Sequence, residues 1–189
     1  MLELVLDSAT KKLYIALVLD KKVVFEKYYT EKNAHATHIV DGINSGLISI
    51  NRKVKDIDHI VCGVGPGSYT GVRMAVTVAK MLSSLGNISL SKISTLRLMA
   101  SSENTKCLAY IDARRGNAFA GIFDDNKVIL EDSFIELDKI EKNSYEKIIS
   151  EDNFVVNPLK VIELATKVDE PDLLVPNYLR DTEAERNLC

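Results

Sequence analysis

Three apolar runs open the chain: LELVLD at 2–7, KLYIALVLD at 12–20 and KVVFEKYYT at 22–30, with short polar breaks between them. Runs rich in Val, Ile, Leu, Phe and Tyr, so closely spaced, predict an antiparallel three-strand meander. From about His35 to Asn51 the period changes. Ile39, Ile43, Leu47 and Ile50 recur at spacings of 4, 4 and 3, which is one face of a helix. HIVCGV at 59–64 is apolar almost throughout and reads as a strand inside the sheet. A second helix is expected from Tyr69 or Thr70 to Leu85, stopped by Gly86. ISLSKI then gives a fifth strand and STLRLMASS a short helix capped by Ser94.

The second half restarts the pattern. KCLAYIDA, NAFAGIFDD and KVILEDSFIEL are three strand-like runs, with DDNK as a turn. A charged stretch follows, DKIEKNSYEKIISED, then NFVV, a helix expected from about Pro158 to Lys167, and the tail PDLLVPNYLRDTEAERNLC. Two units that each begin with three strands suggest an internal duplication. The expected division is 1–103 and 104–189. A meander followed by alternating helices and strands, occurring twice, is the α/β pattern of the actin, sugar-kinase and Hsp70 ATPase (ASKHA) superfamily, built from paired ribonuclease-H-like units. Here the second unit is reduced.

Composition narrows the classes. The longest unbroken apolar run, Leu13 to Leu19, is seven residues, against roughly 20 needed to cross a bilayer. The start, MLELVLDS, has no basic region or cleavage site of a signal peptide. A soluble, cytoplasmic protein is expected. Cys62, Cys107 and Cys189 are odd in number, far apart and without a C-x-x-C pair, so neither a disulfide framework nor a zinc knuckle is indicated. The net charge of −3 hides an asymmetry: residues 1–103 hold 13 Lys and Arg against 9 Asp and Glu, and the remainder hold 11 against 18. A protein devoted to gripping nucleic acid by itself is usually far more basic. Membership of a complex that handles RNA stays open.

The stretch GVGPGSYTGVRMA, Gly63 to Ala75, runs from a strand into a helix, where many proteins hold a phosphate. It fits neither G-x-G-x-x-G nor the P-loop, which needs Gly-Lys-Ser/Thr where this chain has Gly71-Val72-Arg73. A tight turn capped by Ser68 or Thr70 is the plainer reading. Asp7 and Asp112 end corresponding strands of the two halves, where nucleotide-binding members of the superfamily place acids near Mg²⁺. The turn after Asp112 reads DARRGN, with arginines in place of a phosphate turn, and the chain has no Gly-Gly pair. An ATP-binding enzyme would need Asp7, Gly65, Gly67, Ser68, Gly71 and Asp112 to act together. A metallopeptidase of the M22 type would need a metal triad. His35 and His38 lie at i, i+3 with no evident third ligand, since His59 precedes a different strand. No Ser-His-Asp or Cys-His arrangement is recognisable in the sequence.

The second helix is apolar nearly all round, leaving only Arg73, Thr77, Lys80 and Ser84 as a polar stripe. One sheet covers one side of such a helix, so a second helix or another subunit is required. Gly42 and Gly46, on one face of the first helix, permit close contact. Both packing within the chain and a helical protein–protein interface fit.

GVGPGSYTGVRMAV closely resembles the signature of the TsaB (YeaZ) family, DARRGNAFAGIF resembles the opening of that family's second domain, and VPNYLRDTEAE its C-terminal motif. LVLDSATKKLYIALV matches its first strand pair, with Ser8 and Ala9 where Thr-Ser is commoner. The resemblance implies a non-catalytic subunit in making N6-threonylcarbamoyladenosine at position 37 of tRNA. In that scheme the paralogous subunit TsaD carries the metal and the transfer chemistry, and the ATPase TsaE joins the pair. It implies that Gly42, Gly46, Met74, Val78, Met81 and Leu85 line a helical bundle with TsaD, with Arg73 at the edge. Asp7, Gly65, Gly67, Ser68, Gly71 and Asp112 become vestigial phosphate-type positions. This chain alone would bind no cofactor or metal, ATP or ADP and metal belonging to the partner subunits. It would meet tRNA only through the complex, and it would pair with itself when isolated. Tyr178, Arg180 and Glu185 resemble the tail motif.

Overall fold

The computed structural model describes residues 1–30, 35–140 and 144–179, with the side chains of 35–37 left aside. The His35 side chain, Arg180, Glu185 and Cys189 therefore lie outside the described residues. The opening meander is β1 (Leu2–Asp7), β2 (Leu13–Leu19) and β3 (Lys22–Tyr29). Helix α1 (His35–Ser49), β4 (His59–Gly63), α2 (Tyr69–Gly86), β5 (Ser89–Ile93) and α3 (Thr95–Met99) follow. Ser94 caps α3 as its sequence position indicates, its hydroxyl accepting from the Arg97 N–H.

The second half supplies β6 (Cys107–Arg114), β7 (Asn117–Asp124), β8 (Lys127–Glu136), β9 (Lys147–Ile149), α4 (Pro158–Leu164) and β10 (Thr166–Val168). Two elements depart from expectation. Strand β9 lies inside the charged stretch, and the helix begun at Pro158 ends at Leu164 so that β10 can pair with β5. The first sheet has the order β10-β5-β4-β1-β2-β3, and the second β8-β7-β6-β9. β4 is parallel to β1 and β9 is parallel to β6, each beside an antiparallel meander, so both units share one topology. The second is the reduced copy: a 3₁₀ turn at Leu137–Lys139 stands where the first unit has α1.

β1 is buried along its whole length because both faces of the first sheet are covered. On one face Leu4, Leu6, Ile15, Leu17 and Ile60 pack with Ile39, Ile43 and Leu47 of α1 and Val72, Ala75, Val76 and Ala79 of α2. On the other, Val5, Tyr14, Ala16 and Val61 meet α3, α4 and Cys107, Ala109, Ile111 and Phe123 of the second sheet. Burial of a large aliphatic side chain is worth about 2 kcal/mol, so these two shared cores fasten helices and both sheets together.

Candidate functional site

Helix α2 meets its need for cover mostly within the chain. Its base, from Val72 to Ala79, lies on the sheet, and α1 packs on the same sheet face. Along the polar stripe runs the segment 171–178. Asp172 accepts from the Ser84 hydroxyl at 2.6 Å, the Leu174 carbonyl from Lys80 Nζ at 3.1 Å, and Tyr178 stacks on Tyr69 with ring centroids 5.2 Å apart. Leu174 itself is buried in the α1/α2 core. The C-terminal segment thus spans α2 from its last turn to its first.

What remains uncovered is narrow. Met74, Val78, Met81 and Leu85, at spacings of 4, 3 and 4, form one stripe; the first two are half-buried, whereas Met81 is 55% and Leu85 84% exposed. A groove of about 380 Å³ continues it, lined by Ile39 of α1 and Tyr69, Arg73, Met74, Thr77 and Val78 of α2. Arg73 lies at the groove, its guanidinium 5.1 Å from the centre of the Tyr69 ring and donating to the Tyr69 hydroxyl at 3.1 Å.

Gly42 and Gly46 require a correction. Both face inward. A Cβ on Gly42 would stand 2.6 Å from Ile15 Cδ1, and one on Gly46 2.8 Å from Phe25 Cδ1 and 3.0 Å from Leu17 Cδ1. The close contact these glycines allow is with β2 and β3 of their own sheet, not with α2 or a partner. They therefore cannot line a surface that a partner touches.

The glycine loop is occupied by its own protein. The Ser68 N–H donates to the Ala9 carbonyl at 2.7 Å, the Gly65 N–H to Thr95 Oγ1 at 3.1 Å, and the Gly71 N–H to Ser68 Oγ at 3.3 Å. Ser8 returns a bond from Oγ to the Gly71 carbonyl at 2.6 Å. A Cβ at Gly67 would lie 2.3 Å from the Ala9 oxygen, and one at Gly71 2.0 Å from the Ser8 oxygen. These two glycines exist so that the loop can cross the β1–β2 turn. Gly65, at φ +91°, makes the left-handed step that begins the turn.

Asp7 is sealed beneath the loop. Its Oδ2 accepts from Thr95 at 2.6 Å and its Oδ1 from the Ala9 N–H at 2.9 Å, while burial pushes its carboxyl up to about 6. Gly67, Ser68 and Asp112 line one cleft, of about 860 Å³, between the units, together with Lys11, Thr30, Tyr69, Thr70, Arg114 and Glu151. Asp7, Gly65 and Gly71 are not among its lining residues. Asp112 spends one oxygen on the Arg114 N–H at 2.7 Å. Glu151, raised by burial, accepts from the Lys11 N–H at 3.1 Å.

Sequence order hid two polar arrangements. Glu3, His59 and Ser91, from three adjacent strands, form a line in which Glu3 Oε1 lies 3.0 Å from His59 Nδ1 and Ser91 Oγ 2.9 Å from His59 Nε2. Ser91 is buried and does not line the cleft, whereas Glu3 lines a separate pocket of about 640 Å³ with Leu159, Ile162 and Glu163. Asp132 of β8, also raised to about 6 by burial, accepts from the Ser94 hydroxyl at 2.8 Å and from Asn177 Nδ2 at 3.1 Å. It ties the C-terminal segment to both units. His38 stacks on Tyr29, centroids 5.6 Å apart. Among the described residues there is no group of three or more His, Cys, Asp or Glu disposed to hold a metal, and no helix long and apolar enough to cross a membrane.

Comparison with known proteins agrees with this architecture. Residues 23–160 match the family described as TsaD, tRNA N6-adenosine threonylcarbamoyltransferase. The tRNA threonylcarbamoyladenosine biosynthesis protein TsaB of Bacillus subtilis is 28% identical over 219 aligned positions, covering 96% of this chain and 95% of that protein. The TsaB protein of Buchnera aphidicola from Schizaphis graminum is 26% identical, covering 92% and 88%. In fold, YeaZ from Pseudomonas aeruginosa superposes with a TM-score of 0.80 at 17% identity, over 94% of this chain and 99% of that one. The chain belongs to the family that the TsaD description covers, on its TsaB (YeaZ) branch.

Proposed function

We propose that the chain is a non-catalytic subunit required for N6-threonylcarbamoyladenosine formation at tRNA position 37, acting in the cytoplasm as scaffold and dimerisation partner of TsaD, with TsaE. The observation that carries this reading is the α2 stripe. Met81 and Leu85 stand exposed beside half-buried Met74 and Val78, in line with a groove between two helices. Burial of such a stripe contributes about 25 cal/mol per Å² before association costs. The loop that would hold a nucleotide in related folds has three of its N–H groups committed internally. In this reading the chain alone binds no cofactor, ATP or ADP and metal sit on the partner subunits, and the same stripe joins two copies when TsaD is absent.

A second reading, Mg-ATP in the cleft, has one observation in its favour, that Gly67, Ser68 and Asp112 line the same cleft. Calorimetry of the isolated chain with ATP and Mg²⁺ separates the two, since tight binding supports the second. For the first, Met81→Asp with Leu85→Asp is the test. The pair should abolish co-purification with tagged TsaD and leave the urea midpoint unchanged, because both side chains are exposed. Undiminished complex formation would overturn the interface.

A further inference from the structure

Beside the cleft, where Tyr69 lines both the cleft and the groove that continues the α2 stripe, lies an exposed aromatic stack. Tyr69 and Tyr178 remain 45% and 48% exposed although each covers part of the other. Arg73 lies over Tyr69. The β6–β7 turn carries Arg114, which lines the same cleft, and Arg115 next to it in the chain, at φ +65° and +55°. Left-handed positions of a tight hairpin favour Asn and Gly, and two successive arginines there strain the backbone. Strain retained at such a place points to a role for the side chains. Lys11 also lines the cleft, but its ammonium is 3.4 Å from Asp152 and 3.9 Å from Glu151, so acids of the chain already meet its charge.

We infer that this surface, Tyr69 and Tyr178 with Arg73, Arg114 and Arg115, is a contact site for unpaired bases of an RNA loop. Aromatic rings offer a face on which a splayed base stacks, guanidinium planes extend that face, and the cations meet the adjoining phosphates. A duplex, its bases already stacked, offers no such surface. The inference rests on the proposed role in tRNA modification, and it makes the chain a direct contributor to RNA binding.

The test uses the full chain and two labelled RNAs, an anticodon stem-loop and a fully paired duplex of equal length, read by fluorescence anisotropy. The stem-loop should bind several-fold more tightly than the duplex, and Tyr178→Ala should weaken it about fivefold or more. Arg114→Asn with Arg115→Gly should raise the urea midpoint, since these residues suit the turn, yet weaken stem-loop binding and lower its salt dependence by about one phosphate contact per arginine. A purely structural turn would gain stability and lose nothing. No stem-loop binding, or equal binding of both RNAs, would overturn the inference. So would variants that keep RNA affinity and instead lose co-purification with TsaD, which would mark a protein contact. Failure here with threonylcarbamoyladenosine still dependent on the chain removes only this inference; independence of the modification from the chain removes the function itself.

Discussion

Lys80 donates from Nζ to the carbonyl of Leu174 at 3.1 Å, and this bond is the midpoint of a seam that fastens the C-terminal segment along α2. Ser84 and Asp172 close one end, and Tyr69 and Tyr178 the other. The seam explains how an over-apolar helix with only one sheet beneath it stays folded in a single chain. Its anchor is Leu174, buried against α1 and α2. Leu174→Ala should therefore cost about 2–3 kcal/mol in urea denaturation. A loss below about 0.5 kcal/mol would mean that the segment merely rests on the helix.

The glycines divide into two groups that mutation should separate. At Gly71 a Cβ would meet a backbone oxygen that cannot move away, 2.0 Å distant, so Gly71→Ala should cost about 3 kcal/mol or more. At Gly46 the obstacle is the ring edge of Phe25 on an edge strand. Alanine gains about 1 kcal/mol over glycine inside a helix, so Gly46→Ala should fall within about 1 kcal/mol of the wild type. Thermal melts of the two variants decide this, and equal losses would contradict it. Larger residues at Gly46 should unseat β3 and are unsuited to probing a partner.

Asp7 should leave a signature in pH. Burial raises its carboxyl from 3.8 to about 6, so between those values the folded state holds a proton that the unfolded state has released. Stability from this group is full below about 3.8, falls as pH rises, and levels off above about 6. Relative to Asp7→Asn, which does not titrate, the wild type should lose about 2–3 kcal/mol between pH 3.5 and 7 by the ~1.4 kcal/mol per unit that links pKa to free energy. Asp132 is raised in the same direction but is common to both proteins and cancels. A difference independent of pH would show that folding does not raise the Asp7 carboxyl.

Much of this architecture was legible in local pattern. The two meanders, β4 as an internal strand, α1, α2 and the Ser94 cap all follow from period and capping chemistry. Strands β9 and β10 were not, because each is three residues long and set among charges; β9 exists through its pairing with β6, and β10 through its pairing with β5. Neither partner is near in sequence.

The site was legible in part for a similar reason. The spacing of Gly42 and Gly46 places them on one face, but which neighbour that face meets depends on how α1 lies on the sheet. Ile15, Leu17, Phe25 and Tyr29 supply the answer only after folding. Period alone did identify α2 as a helix in need of cover. It did not reveal that residues 171–178 run along its polar stripe, since that contact joins segments about ninety residues apart.

The most direct measurement is the threonylcarbamoyladenosine content of tRNA hydrolysates from cells depleted of the chain. Depletion should remove the nucleoside, the wild-type chain should restore it, and Met81→Asp with Leu85→Asp should not, although that variant accumulates as folded protein. Normal threonylcarbamoyladenosine after depletion would contradict the proposed function.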